Sequence, residues 1–258
     1  MKEHRIIHWG GGKLNWGDAV APILAKFITG NGSFIKPIHV NAKDVMEGYT
    51  VTGSILQWIN NPNAVIWGVG FISKESRIRH KNLKIAAVRG PLTRNMLIEQ
   101  GYSCPAIYGD PVLLLPKFYN PIIEKKYEIG IIPHYVDFDD PWVRLMAKDP
   151  RVKIIDIKNN VNDLNNHRFI KEVLSCKRIV SSSLHGLVIA DAYQIPSKWI
   201  KLSNKLDGGN FKFDDYYKSI GYDEKPLNPV KINKLIASTT VKKINLDLDL
   251  LLKTCPFK

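Results

Sequence analysis

Short apolar runs alternate along this chain with stretches whose apolar positions recur at helical spacing. Arg5–Trp9, Ala64–Trp67 and Leu83–Val88 are near-continuous apolar runs, the pattern of strands buried on both faces. Pro22–Thr29 and Pro91–Gln100 are amphipathic and predict helices. The rhythm resumes with strands expected at Tyr127–Ile132, Val152–Ile157, Arg178–Ser181 and Lys198–Ile200, and helices at Pro141–Lys148, Asn166–Ser175 and Leu184–Tyr193. Strands alternating with helices predict α/β architecture, with mostly parallel sheets covered by helices. Pro111, Pro116 and Pro121, followed by Glu124-Lys125-Lys126, punctuate the middle as a linker does, so the expected division is 1–118 and 119–258. Beyond Pro226 the signal weakens until Lys242–Thr254, a leucine-rich tail with lysines at both ends. Its alternation at Leu246, Leu248 and Leu250 suits a strand, and its composition suits a helix lying on a membrane or on the first half.

Length and charge narrow this picture. A chain of 258 residues with 45% hydrophobic content buries a sizeable core, as one large domain or two small ones. Lys and Arg total 37 against 24 Asp and Glu, a formal +13 that favours anionic partners such as phosphates, acidic sugars or anionic lipid. No nucleic-acid motif, zinc-finger spacing or basic helix with interleaved aromatics accompanies that charge, so nucleic acid is not an expected partner. Cys104, Cys176 and Cys255 are odd in number and widely spaced, which speaks against a disulfide framework or a cysteine-built metal site. No signal-peptide core or bilayer-spanning run is present, and the expected location is the cytoplasm.

Candidate chemistry gathers where strands pass into helices. His8 to Asp18 (HWGGGKLNWGD) is neither a dinucleotide fingerprint nor a P-loop, yet glycines such as Gly12 let the backbone approach a ligand beside Asn15. Asp18 reads either as a helix cap or as a base. Arg89 ends a strand and Arg94 follows in the first turns of the next helix. An arginine fork suits carboxylate or phosphate, and a cation at a helix start is unfavourable unless an anion sits beside it. Ser181 to Gly186 repeats the layout with three hydroxyls and His185, and Ser183 with the helix N-terminus makes an anion cradle. Trp9, Trp16, Trp67 and Trp142 are candidates to stack on a sugar, Trp16 first among them.

Taken in order, Asn15-x-Gly17-Asp18, Arg89-Gly90-Pro91, Tyr108-Gly109-Asp110-Pro111 and Ser181-x-x-x-His185-Gly186 resemble the polysaccharide pyruvyl transferase family, over roughly Ile7 to Ile200. The resemblance implies two Rossmann-like domains facing across a cleft in a GT-B-like arrangement, without metal or cofactor. It implies transfer of the enolpyruvyl group of phosphoenolpyruvate to sugar hydroxyls, forming a pyruvate ketal in surface (exo/capsular) polysaccharide biosynthesis. Arg89, Ser183 and His185 would then hold phosphoenolpyruvate, Asp18 or Asp110 is the candidate base, and Arg94, Asn15 and Gly12 are further binding candidates. A lipid-linked sugar acceptor would bring the chain to the inner membrane face, where the basic, leucine-rich tail would dock. A nucleotide-sugar glycosyltransferase and a non-catalytic glycan-binding assembly protein are the rival readings.

Overall fold

The computed structural model describes residues 2–10, 15–30, 33–43, 46–81, 83–158 and 167–258. Two all-parallel sheets organise them. The first is five-stranded in the order β2-β1-β3-β4-β5, from β1 (Lys2–His8), β2 (Ser33–His39), β3 (Gly48–Thr50), β4 (Ala64–Ile66) and β5 (Lys84–Ile85). The second is four-stranded in the order β7-β6-β8-β9, from β6 (Ile129–Ile132), β7 (Val152–Ile154), β8 (Ile179–Ser181) and β9 (Ser197–Trp199). Ile6, Ile7 and Ile129, Ile131, Ile132 are fully buried, as strands covered on both faces require. Helices α1 (Trp16–Thr29) and α2 (Pro91–Glu99) belong to the first half, and α3 (Pro141–Met146), α4 (Arg168–Leu174), α5 (Leu184–Ala192), α6 (Phe211–Ser219) and α7 (Ile232–Ser238) to the second.

Two differences from the sequence pattern bear on the site. Helix α1 starts six residues before the Pro22 expected to open it, because Asn15 caps it: its side-chain oxygen accepts from the Asp18 amide at 3.2 Å. Asp18 is therefore inside the first turn and is not the cap. Helix α6 has no counterpart in the apolar pattern, because its charged Lys212 and Asp215 lie on its buried side.

The tail forms a helix on the first half and not a strand. It ends in helix α8 (Leu248–Lys253), which crosses to the first half. Leu251 is fully buried and its carbonyl accepts from the Trp67 indole N–H at 3.1 Å, while the Phe257 ring meets Trp67 edge-on at 5.7 Å. Gly109 leaves the room this crossing needs: a Cβ there would lie 2.8 Å from Leu251. Lys242, one of the lysines expected to face a membrane, is 1% exposed and donates to the Ser197 carbonyl at 3.1 Å and its hydroxyl at 2.9 Å. Leu251 and Lys242 are thus engaged within the fold, whereas Leu250, Lys243 and Lys253 stay exposed. No described helix is long and apolar enough to cross a membrane.

One core cluster runs through both halves, from Ile6, Leu24 and Trp67 to Ile132, Leu187 and Trp199. Backbone contact reinforces it where the Trp16 amide donates to the Ile157 carbonyl at 2.9 Å. Trp9, His134 and Ser183, which follow the C-terminal ends of β1, β6 and β8, come to one cavity, as parallel sheets present their ligand sites.

Candidate active site

A cavity of about 240 Å³ lies at these strand ends. From the first half it takes Asn15, Asp18, Ser54 and the aromatic rings of Trp9 and Trp58; from the second, His134, Ser183, His185, Asp207 and Lys212. Sequence candidates Asn15, Asp18, Ser183 and His185 meet here. Arg89, Arg94 and Asp110 do not line it, and Gly12 lies outside the described residues.

His185 sits in the first turn of α5 with its ring against α1. Gly17 makes that approach feasible, since a Cβ there would lie 2.0 Å from Nδ1. This is the physical content of the glycine between Asn15 and Asp18. On its other side, Nε2 lies 3.0 Å from the Thr52 hydroxyl, which is 2.8 and 2.9 Å from the two oxygens of Asp110. Thr52 has one proton, and a carboxylate can only accept. The proton therefore goes to Asp110, and Thr52 oxygen receives the Nε2–H of His185. The arrangement assigns the neutral ring its Nε2–H tautomer and leaves Nδ1 on the Gly17 side to exchange a proton.

Asp110 is accordingly not a base facing the cleft. It is fully buried, accepts from the Val112 amide at 3.0 Å as well as from Thr52, and acts on His185 from behind. Asp18, by contrast, lines the cavity, as does Asp207. Burial pushes the pKa of Asp18 up to about 6, against the opposing influence of His185, and Asn15 Nδ2 holds its Oδ2 at 2.5 Å.

Arg89 departs from the clamp expected of it. Its guanidinium is fully buried and its donors are engaged within the protein: Nε to Asp215 at 3.0 Å, Nη2 to the Phe71 carbonyl at 2.7 Å and Nη1 to Ser54 Oγ at 2.6 Å. Asp215 also accepts from the Thr93 amide at 2.9 Å and hydroxyl at 2.7 Å, capping α2 from across the molecule where Gly90 has no side chain to do so. Gly90 has to be small, because a Cβ would meet the Asp215 carbonyl oxygen at 2.1 Å. Arg-Gly-Pro is therefore a receptor for an internal carboxylate, and Arg89 reaches the cavity only through Ser54. Arg94 points elsewhere, donating to the Cys104 carbonyl at 3.0 Å.

The cation that does line the cavity is Lys212, which sequence reasoning passed over. It is 8% exposed and makes no hydrogen bond or ion pair with a described residue. Burial, with the charge of Arg89, lowers its pKa to about 8; Asp18 and Asp207 oppose the fall. His134 stands nearby, its pKa lowered to about 3 by burial and by Lys212, so it is neutral. Its Nδ1 accepts from the Val136 amide at 3.4 Å, which places the ring proton on Nε2. The Ser183 hydroxyl, unused as a cap, lies at the α5 N-terminus in the same lining, an arrangement whose donors suit an anion. Nothing in the local sequence of α6, with its two lysines and two aspartates, singles out Lys212; its burial depends on how α6 packs.

Among the aromatic candidates, Trp16 is 2% exposed and stacks on Phe169 at 4.6 Å in the core, and Trp67 is fully buried. Trp142 donates its indole N–H to the Val230 carbonyl at 3.1 Å, away from the cavity. Trp9 faces the cavity, joined by Trp58, which the sequence pattern did not single out.

Comparison with known proteins gives the same direction as the motifs. The family model described as polysaccharide pyruvyl transferase matches residues 15–204. An uncharacterized protein of Acanthamoeba polyphaga mimivirus is 36% identical over 233 residues, covering 86% of this chain and 78% of that protein. The succinoglycan biosynthesis protein ExoV of Rhizobium meliloti (strain 1021) is 26% identical over 222 residues, 85% of this chain and 66% of ExoV.

Proposed function

The chain belongs to the polysaccharide pyruvyl transferase family, and from that premise we propose that it moves the enolpyruvyl group of phosphoenolpyruvate onto sugar hydroxyls, forming a pyruvate ketal in polysaccharide biosynthesis. The observation that carries the reading is the juxtaposition of an unpaired buried cation, Lys212, with a helix N-terminus, an oriented His185 and a carboxylate of raised pKa. Phosphate and carboxylate need charge-assisted donors in a poorly solvated site, and Lys212, Ser183 and the α5 amides supply them. His134 adds an uncharged N–H donor.

Reaction at phosphoenolpyruvate needs a proton on the methylene carbon and a nucleophile at the adjacent carbon. His185 Nδ1, when protonated, is the donor to the methylene, and Asp18 takes the proton of the first sugar hydroxyl as its oxygen bonds the neighbouring carbon. The carbon–oxygen bond to phosphate then breaks, with Lys212 and the α5 N-terminus holding the departing anion. A second sugar hydroxyl closes the ketal at the same carbon, its proton leaving with phosphate. Two carbon–oxygen bonds form, one breaks, and one hydroxyl proton ends on the new methyl group.

Titration calorimetry of phosphoenolpyruvate at low ionic strength tests the site directly. Wild type is expected to bind, with affinity lowered about 10- to 100-fold in Lys212→Ala, the scale of ~1.4–2.8 kcal/mol for a charge-assisted contact. Absence of binding by folded wild type would overturn the assignment, and binding of UDP or GDP in its place would favour a glycosyltransferase.

A further inference from the structure

We propose that Trp9 and Trp58, with Ser54 between the two charge systems, form the acceptor subsite of this cavity and receive a hexopyranose ring by its apolar face. The inference rests on the pyruvyl-transfer reading for the identity of the donor, and on separate residues for its own support.

The lining of the cavity is divided by chemistry. The second half contributes the cation, the helix N-terminus and the histidines; the first half adds, beside Asn15 and Asp18, Ser54 and the apolar side chains of Trp9, Trp58, Ile55 and Ile72. Trp9 emerges at the end of β1 and Trp58 closes the 3-10 turn Leu56–Trp58; their ring centroids are 4.8 Å apart with planes tilted by 52°. His39 braces Trp9 from outside at 5.9 Å. Two indoles set at this angle offer one ring a face and an edge, unlike the parallel slot that would hold a flat base. Both are only partly buried, in contrast to Trp16, Trp67 and Trp199, each at most 2% exposed. Neither indole N–H has a hydrogen-bond acceptor among the described residues, so each is free to donate to a hydroxyl.

A pyranose matches this wall. Its ring C–H groups carry slight positive charge and are drawn to the negative face of an aromatic ring, while its hydroxyls radiate around the rim. Ser54 is prepared to meet one of them: its oxygen accepts from Arg89 Nη1, and its own proton has no acceptor among the described residues. Arg89 thereby becomes a positioning residue for the acceptor, acting through Ser54. Asp18 lies in the same lining and is available to a second hydroxyl.

Saturation-transfer NMR with methyl glucosides, galactosides and mannosides of both anomers, alongside calorimetry with phosphoenolpyruvate on the same preparations, tests the subsite. At least one pyranoside is expected to receive saturation mainly on the protons of one ring face. The signal should fall at least fivefold in Trp58→Ala and survive in Trp58→Phe, while phosphoenolpyruvate affinity changes less than twofold. Ser54→Ala, a smaller change, should weaken the same pyranoside and serves if Trp58→Ala fails to fold. No transfer to any pyranoside from wild type, or equal transfer in folded Trp58→Ala and Ser54→Ala, overturns the proposal. Failure of phosphoenolpyruvate to bind would instead remove the donor reading and leave the pyranoside result to stand by itself.

Discussion

Helix α6 carries two buried charges three residues apart, and they live under opposite conditions. Asp215 has its charge matched by Arg89 and its oxygens filled by Thr93. Lys212 faces the cavity with no ion pair among the described residues and a pKa drawn down to about 8. A buried charge with its partners in place holds two helices together; one without them is a site waiting for a counter-ion. The structural pair also brings the functional cation into position, because Asp215 fixes α6 against α2.

The sharpest way to break this contrast is to remove one half of the matched pair. Asp215→Ala should cost about 3–5 kcal/mol, since it strands the Arg89 charge and uncaps α2. Urea denaturation reads the loss, and Arg89→Met with Asp215→Leu should recover much of it. A loss below about 1 kcal/mol would mean that the pair is not structural. Next in size is Gly17→Ala. Alanine suits a helix better than glycine, yet its Cβ would displace the His185 ring, so turnover should fall about 100-fold while the melting temperature moves by only a few degrees. A variant of near wild-type rate would show that the ring position is not needed.

Titration sharpens the unmatched side. Asp18 must be ionised and His185 and Lys212 protonated, so kcat/KM should be bell-shaped, with an acidic limb near the value of about 6 to which the site brings Asp18, and phosphoenolpyruvate affinity should fall as pH rises through the value of about 8 to which it brings Lys212. Asp18→Asn should lower the rate strongly and remove the acidic limb. The same substitution should stabilise the protein at pH 7 by on the order of 1–3 kcal/mol. Its folded pKa stands above the ordinary carboxyl range, so this group favours the fold most when protonated. That margin disappears as pH rises from the unfolded carboxyl range through about 6. Unchanged stability at pH 7 in Asp18→Asn would count against a strained carboxylate. The smallest effect is expected at Thr52. Thr52→Val should slow turnover about tenfold, with Thr52→Ser near wild type, and ¹⁵N spectra should show the His185 Nε2–H tautomer depleted only in the valine variant. An unaltered tautomer in Thr52→Val would remove Thr52 from the relay.

Several parts of the site were legible in the chain. Asn15 and Ser183 stand where helices begin, and helix starts are marked by residues within a few positions, so local pattern places both, although only the Asn15 side chain caps its helix. His185 in the first turn of α5 follows in the same way. Asp110 and Arg89 belong to recognisable motifs, but their partners are not legible there, because Thr52, Ser54 and Asp215, the groups that occupy them, are distant in sequence. Nothing local to Trp58 separates it from a core tryptophan, and nothing local to Lys212 separates it from a solvated lysine. The leucines of the tail likewise show that an apolar face exists without showing what covers it.

Hydrophobic periodicity and capping chemistry, both short-range, determined by themselves that this is an α/β chain with parallel strands and helix starts bearing hydroxyls, a histidine and a carboxylate. Packing of the two sheets through one core decided the rest: which carboxylate is matched, which cation faces the cavity, and which tryptophans line it. Those outcomes depend on desolvation and on partners up to 184 residues apart, as between Trp67 and Leu251, and such distances have no imprint on local pattern.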